Sequence, residues 1–420
     1  MRNILSSPAR PIMLLIVSIL ITRSIHAQGL NDYDKFIKAY TDKKYTDCIQ
    51  YGEPVAKFSD DPGTQYALAE CYCQAGAISK SLDALGSLAK RGLSYKVKEN
   101  KNFSSLYSDK RFIEHAELFT KNAGIDRSSV SFVINDSLLI PEGMAYDPST
   151  QTFFISSLSK HKVIGCSGKG DCADFANGKQ SNFWMGLGMK VSPDHKSVWV
   201  CSASEHPDLN GYSGVFQFEI SSGKLLQQFV LDNKKEQHLF NDIFITQAGD
   251  VYFTDSKAGK VWRILPGRDT LTEYATGFIY PNGIAVDEAK KTLFVADFTG
   301  LYMIDLNTGK RSQMNHEGKT YLNDIDGMYF YKGSLVVIQN SGNQGDRIAR
   351  FYYDIPKKSI VNTEVLQTFR KDFIIPTTGA IVNNELHYIA NSQLRSLQPD
   401  GRITNPEKLV RPVILKVKLD

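Results

Sequence analysis

Two hydrophobic periods divide this chain. From about residue 30 to 123, apolar positions recur three and four apart in DYDKFIKAYTDKK, KYTDCIQYGEPVAKF, TQYALAECYCQAG and ISKSLDALGSLAKRG. That is the period of amphipathic helices. Asp60-Asp61-Pro62-Gly63 and Gly76 fall between the runs, where one helix should stop and the next begin. A last helix is predicted over LYSDKRFIEHAELF, from Leu106 to Phe119. After Gly124-Ile125-Asp126 the period drops to two and stays there to the C-terminus, which puts a boundary near residue 127.

Within the second half one short pattern recurs six times: PEGMAYD, LGMKVSPD, NDIFITQAGD, PNGIAVDEAKK, DGMYFYKGS and TGAIVNNE. Each copy is followed by a turn and a second strand: TFFISS, SVWVCSA, VYFTDS, TLFVAD, LVVIQN and LHYIAN. Counted at Glu142, Gly188, Asn241, Asn282, Asp326 and Thr378, the spacings are 46, 53, 41, 44 and 52 residues. A four-stranded propeller blade takes roughly 40–50 residues. The fold predicted is therefore an all-β six-bladed β-propeller, residues 127–420, preceded by a small α-helical domain, residues 28–126. VSFVIND near Val130 and PVILKVKL at Pro412 lie at opposite ends of the repeats, and are expected to share one blade and close the ring.

Composition adds a compartment and removes some partners. The first 27 residues have the pattern of a secretory signal: Arg2 and Arg10, an apolar run from Ile12 to Ile21, and Ser-Ile-His-Ala ending at Ala27. The apolar run is too short to span a bilayer, which takes about 20 residues. Export to the periplasm or medium is expected, with no membrane attachment once the signal is cleaved. The formal charge of +4 includes Arg2, Arg10 and Arg23 of that segment, so the remainder sits near 4 − 3 = +1. Such a balance gives no footprint for nucleic acid. Of the six cysteines, Cys166 and Cys172 flank SGKGD and are expected to close a hairpin; Cys48 could pair with Cys71 or Cys73.

The residue that opens each copy should face one end of the central channel. Four of these carry oxygen donors: Glu142, Asn241, Asn282 and Asp326. Two carboxylates and two amides form a hard set suited to calcium, magnesium or manganese. Taken singly, each Asx-Gly pair is an ordinary turn former; the coincidence at equivalent repeat positions is what carries weight. Gly188 and Thr378 are expected at the other two positions, leaving room for a substrate.

The combination PEG, NDI with GDVYFTDS, PNGIAVD with LFVAD, and DGM resembles the regucalcin/gluconolactonase (senescence-marker-protein-like) family of six-bladed propellers, related to paraoxonases. The resemblance covers roughly residues 130–418. It implies a divalent ion, usually calcium, although magnesium, manganese or zinc would also suit such proteins. It implies as its ligands Glu142, Asn282, Asn241 and Asp326, with Asp242 supporting them. The implied chemistry is hydrolysis of a small-molecule lactone or ester, with Asp326 as candidate general base. MGLGMKV lacks the histidine that the paraoxonase branch uses there, which moves the resemblance toward gluconolactonases. Tyr40 and Tyr72, 32 residues apart, give the helical part a likeness to tetratricopeptide repeats, whose pitch is about 34 residues.

Weaker candidates surround this set. His161 and His206 fall in loops expected on the ligand face, and Asp255 and Asp297 end strands near it. Tyr212, Trp184 and Phe298 could wall a pocket or pack between blades. No GxSxG, HExxH or P-loop pattern stands at a credible junction, so a serine nucleophile is not supported. Two other readings compete with the hydrolase. One is a scaffold in which a metal stiffens the ring and the helices hold a protein partner; the other is a metal-free sugar- or peptide-binding sensor.

Overall fold

The computed structural model describes residues 31–178, 183–204, 211–232, 236–316, 318, 320–341, 345–398 and 400–420. Residues 1–27, read above as an export signal, and His206 lie outside them.

Helices occupy residues 31–41, then Tyr45–Phe58, Pro62–Gln74, Ile78–Lys90 and Lys110–Asn122. Their limits follow local chemistry. The Asp61 carboxylate accepts the backbone N–H of Gly63 at 3.2 Å and of Thr64 at 2.6 Å, and Pro62 takes the first helical position, where its missing N–H costs nothing. The last helix starts at Lys110 and not at Leu106. Asp109 caps it by accepting from Arg111 and Phe112 N–H, and Leu106 ends a separate 3-10 segment, Lys101–Leu106. Cys48 is bonded to Cys71, and Cys73 is a buried free thiol.

Six sheets follow, each with at least four strands. Their inner strands are Pro141–Asp147, Met185–Val191, Phe240–Ile245, Ile284–Asp287, Ile325–Tyr331 and Gly379–Val382. Second strands such as Ser197–Ala203 and Thr292–Asp297 are buried at every residue, because neighbouring blades cover both faces. This is why they read as continuous apolar runs without alternation. The sixth blade is a composite. Ser129–Val133, from the start of the domain, pairs antiparallel with Val413–Lys418 from its end, from Ser129 opposite Lys416 to Val133 opposite Val413, with a one-residue shift between Val130 and Phe132. The expected closure is therefore present, and the ring has no free edge at its seam. Cys166 and Cys172 form the expected hairpin disulfide.

The helices are docked on the ring. Arg347, 1% exposed, donates to Gln339 Oε1 at 2.8 Å, to Thr320 Oγ1 at 2.9 Å and to the carbonyl of Arg91 at 3.2 Å. Arg91 in turn donates to the Thr320 carbonyl and pairs with Asp60 at 3.0 Å. Tyr321 of the propeller is buried in the helical core beside Tyr95 and Phe119. Through these contacts the helical domain packs against the fifth blade, and Ser59, which follows Tyr45–Phe58, reaches the Phe298 carbonyl of the fourth.

Candidate functional site at the channel mouth

In four blades the pairing of first and second strands slips by one residue at the same place: between Pro141 and Met144, Gly186 and Met189, Phe240 and Ile243, and Ile325 and Met328. A bulge of this kind leaves residues out of the ladder and re-aims their side chains. The unladdered pairs are Glu142-Gly143, Leu187-Gly188, Asn241-Asp242 and Asp326-Gly327. In the fourth blade Asn282-Gly283 stands in the same place, just before Ile284–Asp287, where Asn282 N–H donates to the Ala296 carbonyl at 2.9 Å.

The recurrent glycine has a steric reason. A Cβ on Gly143 would lie 2.0 Å from the Leu187 carbonyl oxygen, on Gly188 2.5 Å from that of Asn241, and on Gly283 2.7 Å from that of Asp326. These three blades therefore press this residue against the backbone of the next blade's mouth, and there only glycine fits. Blade three departs from the pattern. Asp242 occupies its glycine place and accepts from Ile243 N–H at 2.9 Å and from Ile284 N–H at 3.4 Å.

This register corrects one expectation. The blade-two counterpart of Glu142 is Leu187, because Met189 pairs with Val200 as Met144 pairs with Ile155; Gly188 corresponds to Gly143. An apolar side chain, 6% exposed, thus stands where a bare backbone was expected. Thr378 is at the sixth position, and its hydroxyl donates to the Glu142 carbonyl.

Glu142, Asn241 and Asp326 are buried and Asn282 is half-buried. Asn282 Nδ2 donates to Asp326 Oδ1 at 2.9 Å, and Asn340 Nδ2 to Asp326 Oδ2 at 2.7 Å. Asn241 Nδ2 donates to Ser256 Oγ at 3.0 Å. Glu142 Oε2 and Asn282 Oδ1 are buried without a partner, a costly state for acceptors unless a cation or donor meets them. Burial, then the nearby Asp326 and Asp242 carboxylates, push the Glu142 carboxyl well above its ordinary range. Burial and Asp242 raise Asp326 to about 7 against the lowering effect of its two amide donors. Burial raises Asp242 to about 6, offset by Lys190. Negative charge is therefore crowded here, as a bound cation would favour. Among the described residues, however, no group of three or more His, Cys, Asp or Glu is placed to hold a metal ion. A cation at this mouth would depend on the amide oxygens of Asn241 and Asn282 as well as on carboxylates.

Beside Asp326 opens a cavity of about 430 Å³. Its polar lining is Asn282, Asp297, Asp324, Asp326 and Asn340; its apolar lining is Tyr33, Ile279, Tyr280, Phe298 and Ile325. The chain enters this rim under strain: Ile140, Tyr280 and Asp324, each two residues before a mouth oxygen donor, have φ of 41°, 52° and 58°. Such left-handed conformations are costly for non-glycine residues and cluster at functional sites.

The weaker candidates separate. Asp297 lines the cavity, and its oxygens accept from Ile279 N–H and from Thr299. Asp255 does not line it; it accepts from His238 Nδ1 at 2.6 Å, Trp262 Nε1 at 3.1 Å and Leu239 N–H at 2.9 Å, which fixes the third blade. Trp184 meets Tyr212 and Phe216 edge-on, as inter-strand packing. His161 occupies a turn with φ of 48°, its carbonyl accepting from Gly178 N–H. Phe298 does wall the cavity. Tyr33, Tyr280, Asp324 and Asn340 were not foreseen. Asn340 closes LVVIQN, the second strand of its copy, as Asp297 closes TLFVAD, and that parallel was the available signal. Nothing in the helical segment marks Tyr33, whose position depends on docking.

Residues 140–332 match the family model described as SMP-30/Gluconolactonase/LRE-like region. No curated protein matches the chain. Among solved structures, a PQQ-bound aldose sugar dehydrogenase from Streptomyces coelicolor is 15% identical with a TM-score of 0.48, covering 69% of this chain and 98% of its own. A gluconolactonase from Xanthomonas campestris is 14% identical with a TM-score of 0.48, covering 71% and 96%. A luciferin-regenerating enzyme is 15% identical with a TM-score of 0.47, covering 68% and 94%.

Proposed function

We propose that this propeller, whose residues 140–332 are an SMP-30/gluconolactonase/LRE-like region, is an exported hydrolase that opens lactones or related esters at the channel mouth. The observation that supports it most is a buried cluster of oxygen donors in which Glu142 Oε2 and Asn282 Oδ1 lack partners beside a cavity large enough for a small substrate.

The donor set fits a hard divalent cation, calcium first, held by Glu142, Asn241, Asn282 and Asp326. Bound there, such an ion would polarise the substrate carbonyl and offset the negative charge that develops on its oxygen. The chain's own residues supply orientation and proton transfer. Asn282 and Asn340 grip the two oxygens of Asp326 and hold that carboxylate in one orientation at the cavity edge. In this reading Asp326 takes the proton from an attacking water as the water oxygen bonds to the carbonyl carbon. The ring C–O bond then breaks, and the same proton passes to the departing alkoxide oxygen. Asp242 fixes the rim by bridging the third and fourth inner strands through Ile243 and Ile284 N–H.

The test is a panel of lactones and esters assayed on purified protein with and without a chelator. Turnover that chelation abolishes and calcium restores is expected. Absence of turnover across the panel would leave the binding-protein reading in its place.

A further inference from the structure

We infer that the N-terminal helical domain completes the substrate pocket, and that Tyr33 with Tyr280 and Phe298 forms an aromatic wall selecting lactones that carry a hydrocarbon substituent. This rests on the hydrolase reading for the reaction, but not for the binding preference.

Three observations carry it. First, Tyr33 belongs to the helix over residues 31–41, yet it lines the same cavity as Asp326. Its ring meets Phe298 edge-on with centroids 5.2 Å apart. Second, this wall is fixed from both sides. The Phe298 carbonyl accepts from Ser59 Oγ of the helical domain and from Asn323 Nδ2, the latter at 2.8 Å. Asn323 also donates to Ser59 Oγ at 3.2 Å. The left-handed Tyr280 backbone leaves that side chain 55% exposed, beside the cavity it lines.

Third, much of the polar lining is already engaged within the protein. Both Asp297 oxygens accept from backbone N–H groups, while the amide donors of Asn282 and Asn340 are turned to Asp326. A polyhydroxylated lactone needs many free donors and acceptors along its ring; here the amide donors are committed to Asp326, and the unpartnered acceptors of the lining are Asn282 Oδ1 and Asp324 Oδ2. An alkyl or aryl substituent needs only apolar surface to leave water against, and Tyr33, Tyr280, Phe298 and Ile279 provide it. Each fully buried methylene strengthens binding by about fourfold.

The experiment compares γ-lactones of increasing alkyl length with glucono-δ-lactone, and measures binding of the matching γ-alkyl lactams by calorimetry as a readout independent of turnover. In the wild type, kcat/KM and lactam affinity should both rise with alkyl length, and glucono-δ-lactone should be the poorer substrate. Tyr33→Ala should reduce the gain at the longest substituent at least fivefold, mainly through KM, and Tyr33→Phe should keep it. Tyr280→Ala, at an exposed position that tolerates truncation, should reduce the gain in the same direction, so the result does not depend on the folding of one variant. Lactam binding that depends on alkyl length and on Tyr33, without any lactone turnover, would uphold the wall and reject the hydrolase reading. Lactam affinity that ignores alkyl length, or a preference for glucono-δ-lactone, overturns the inference whatever the activity.

Discussion

Asn282 of the fourth blade donates its side-chain amide proton to Oδ1 of Asp326 in the fifth, at 2.9 Å. That bond turns the Asn282 oxygen away from Asp326 and leaves it buried without a partner, as Glu142 Oε2 is. Two blades thus hold a carboxylate and a free amide oxygen at one mouth, and the cost of that arrangement falls on stability.

Removing charge from the cluster should therefore stabilise the metal-free fold while destroying function. In Glu142→Gln the carboxyl that burial and its acidic neighbours hold far above its normal range becomes permanently neutral. With chelator present its melting temperature at pH 8 should rise by a few degrees, while calcium should stabilise it less than the wild type. A lower melting temperature than wild type under chelation would contradict the electrostatic account.

Glycines inside and outside the repeat should differ sharply in tolerance. Gly143→Ala drives a Cβ to 2.0 Å from a backbone oxygen of the next blade, whereas Gly168 has nothing within 4 Å and no left-handed φ. Urea unfolding should show a loss of several kcal/mol for the first and less than about 0.5 kcal/mol for the second. Equal losses would mean that the bulge does not set the spacing between blades.

The composite blade should carry an acid-sensitive element. His387 lies in Glu385–Ile389, its Nδ1 is 2.9 Å from Ser131 Oγ in the incoming strand, and burial lowers its pKa to about 4. Folded His387 stays neutral while the unfolded chain takes up a proton near 6.5, so stability is lost as pH falls from about 6.5 to 4. The loss attributable to this residue is roughly 3 kcal/mol at most. His387→Gln should flatten the melting temperature over that range, and an unchanged slope would assign the acid sensitivity elsewhere.

Deleting residues 411–420 removes a strand that pairs on both sides, with Glu385–Ile389 and with Ser129–Val133. The expected result is loss of the single cooperative melt and increased aggregation from two exposed edges. A thermal melt like that of the full chain would show that the ring does not depend on this closure.

The sequence carried the ring because each blade repeats one local demand: an apolar inner strand opened by a polar residue and a glycine where the next blade's backbone presses in. Gly143, Gly283 and Gly327 made that demand visible without any tertiary information. It was less visible in blade two, where glycines at 186 and 188 flank Leu187 and only the bulge, a feature of strand pairing, decides which residue faces the mouth. The start of the last helix was misplaced for a similar reason, since apolar periodicity runs on through Leu106 while the Asp109 cap sets the boundary. Tyr33 was out of reach altogether. Its place in the cavity depends on helices docked through Arg91, Arg347 and Ser59, and those contacts join positions more than 200 residues apart.

The most direct test of the central claim is lactone hydrolysis by the wild type and Asp326→Asn, assayed together with calcium and with chelator. The account predicts turnover in the wild type that chelation removes and calcium restores, and a loss of at least about a hundredfold in Asp326→Asn. Full turnover in Asp326→Asn, or in the chelated wild type, would contradict it.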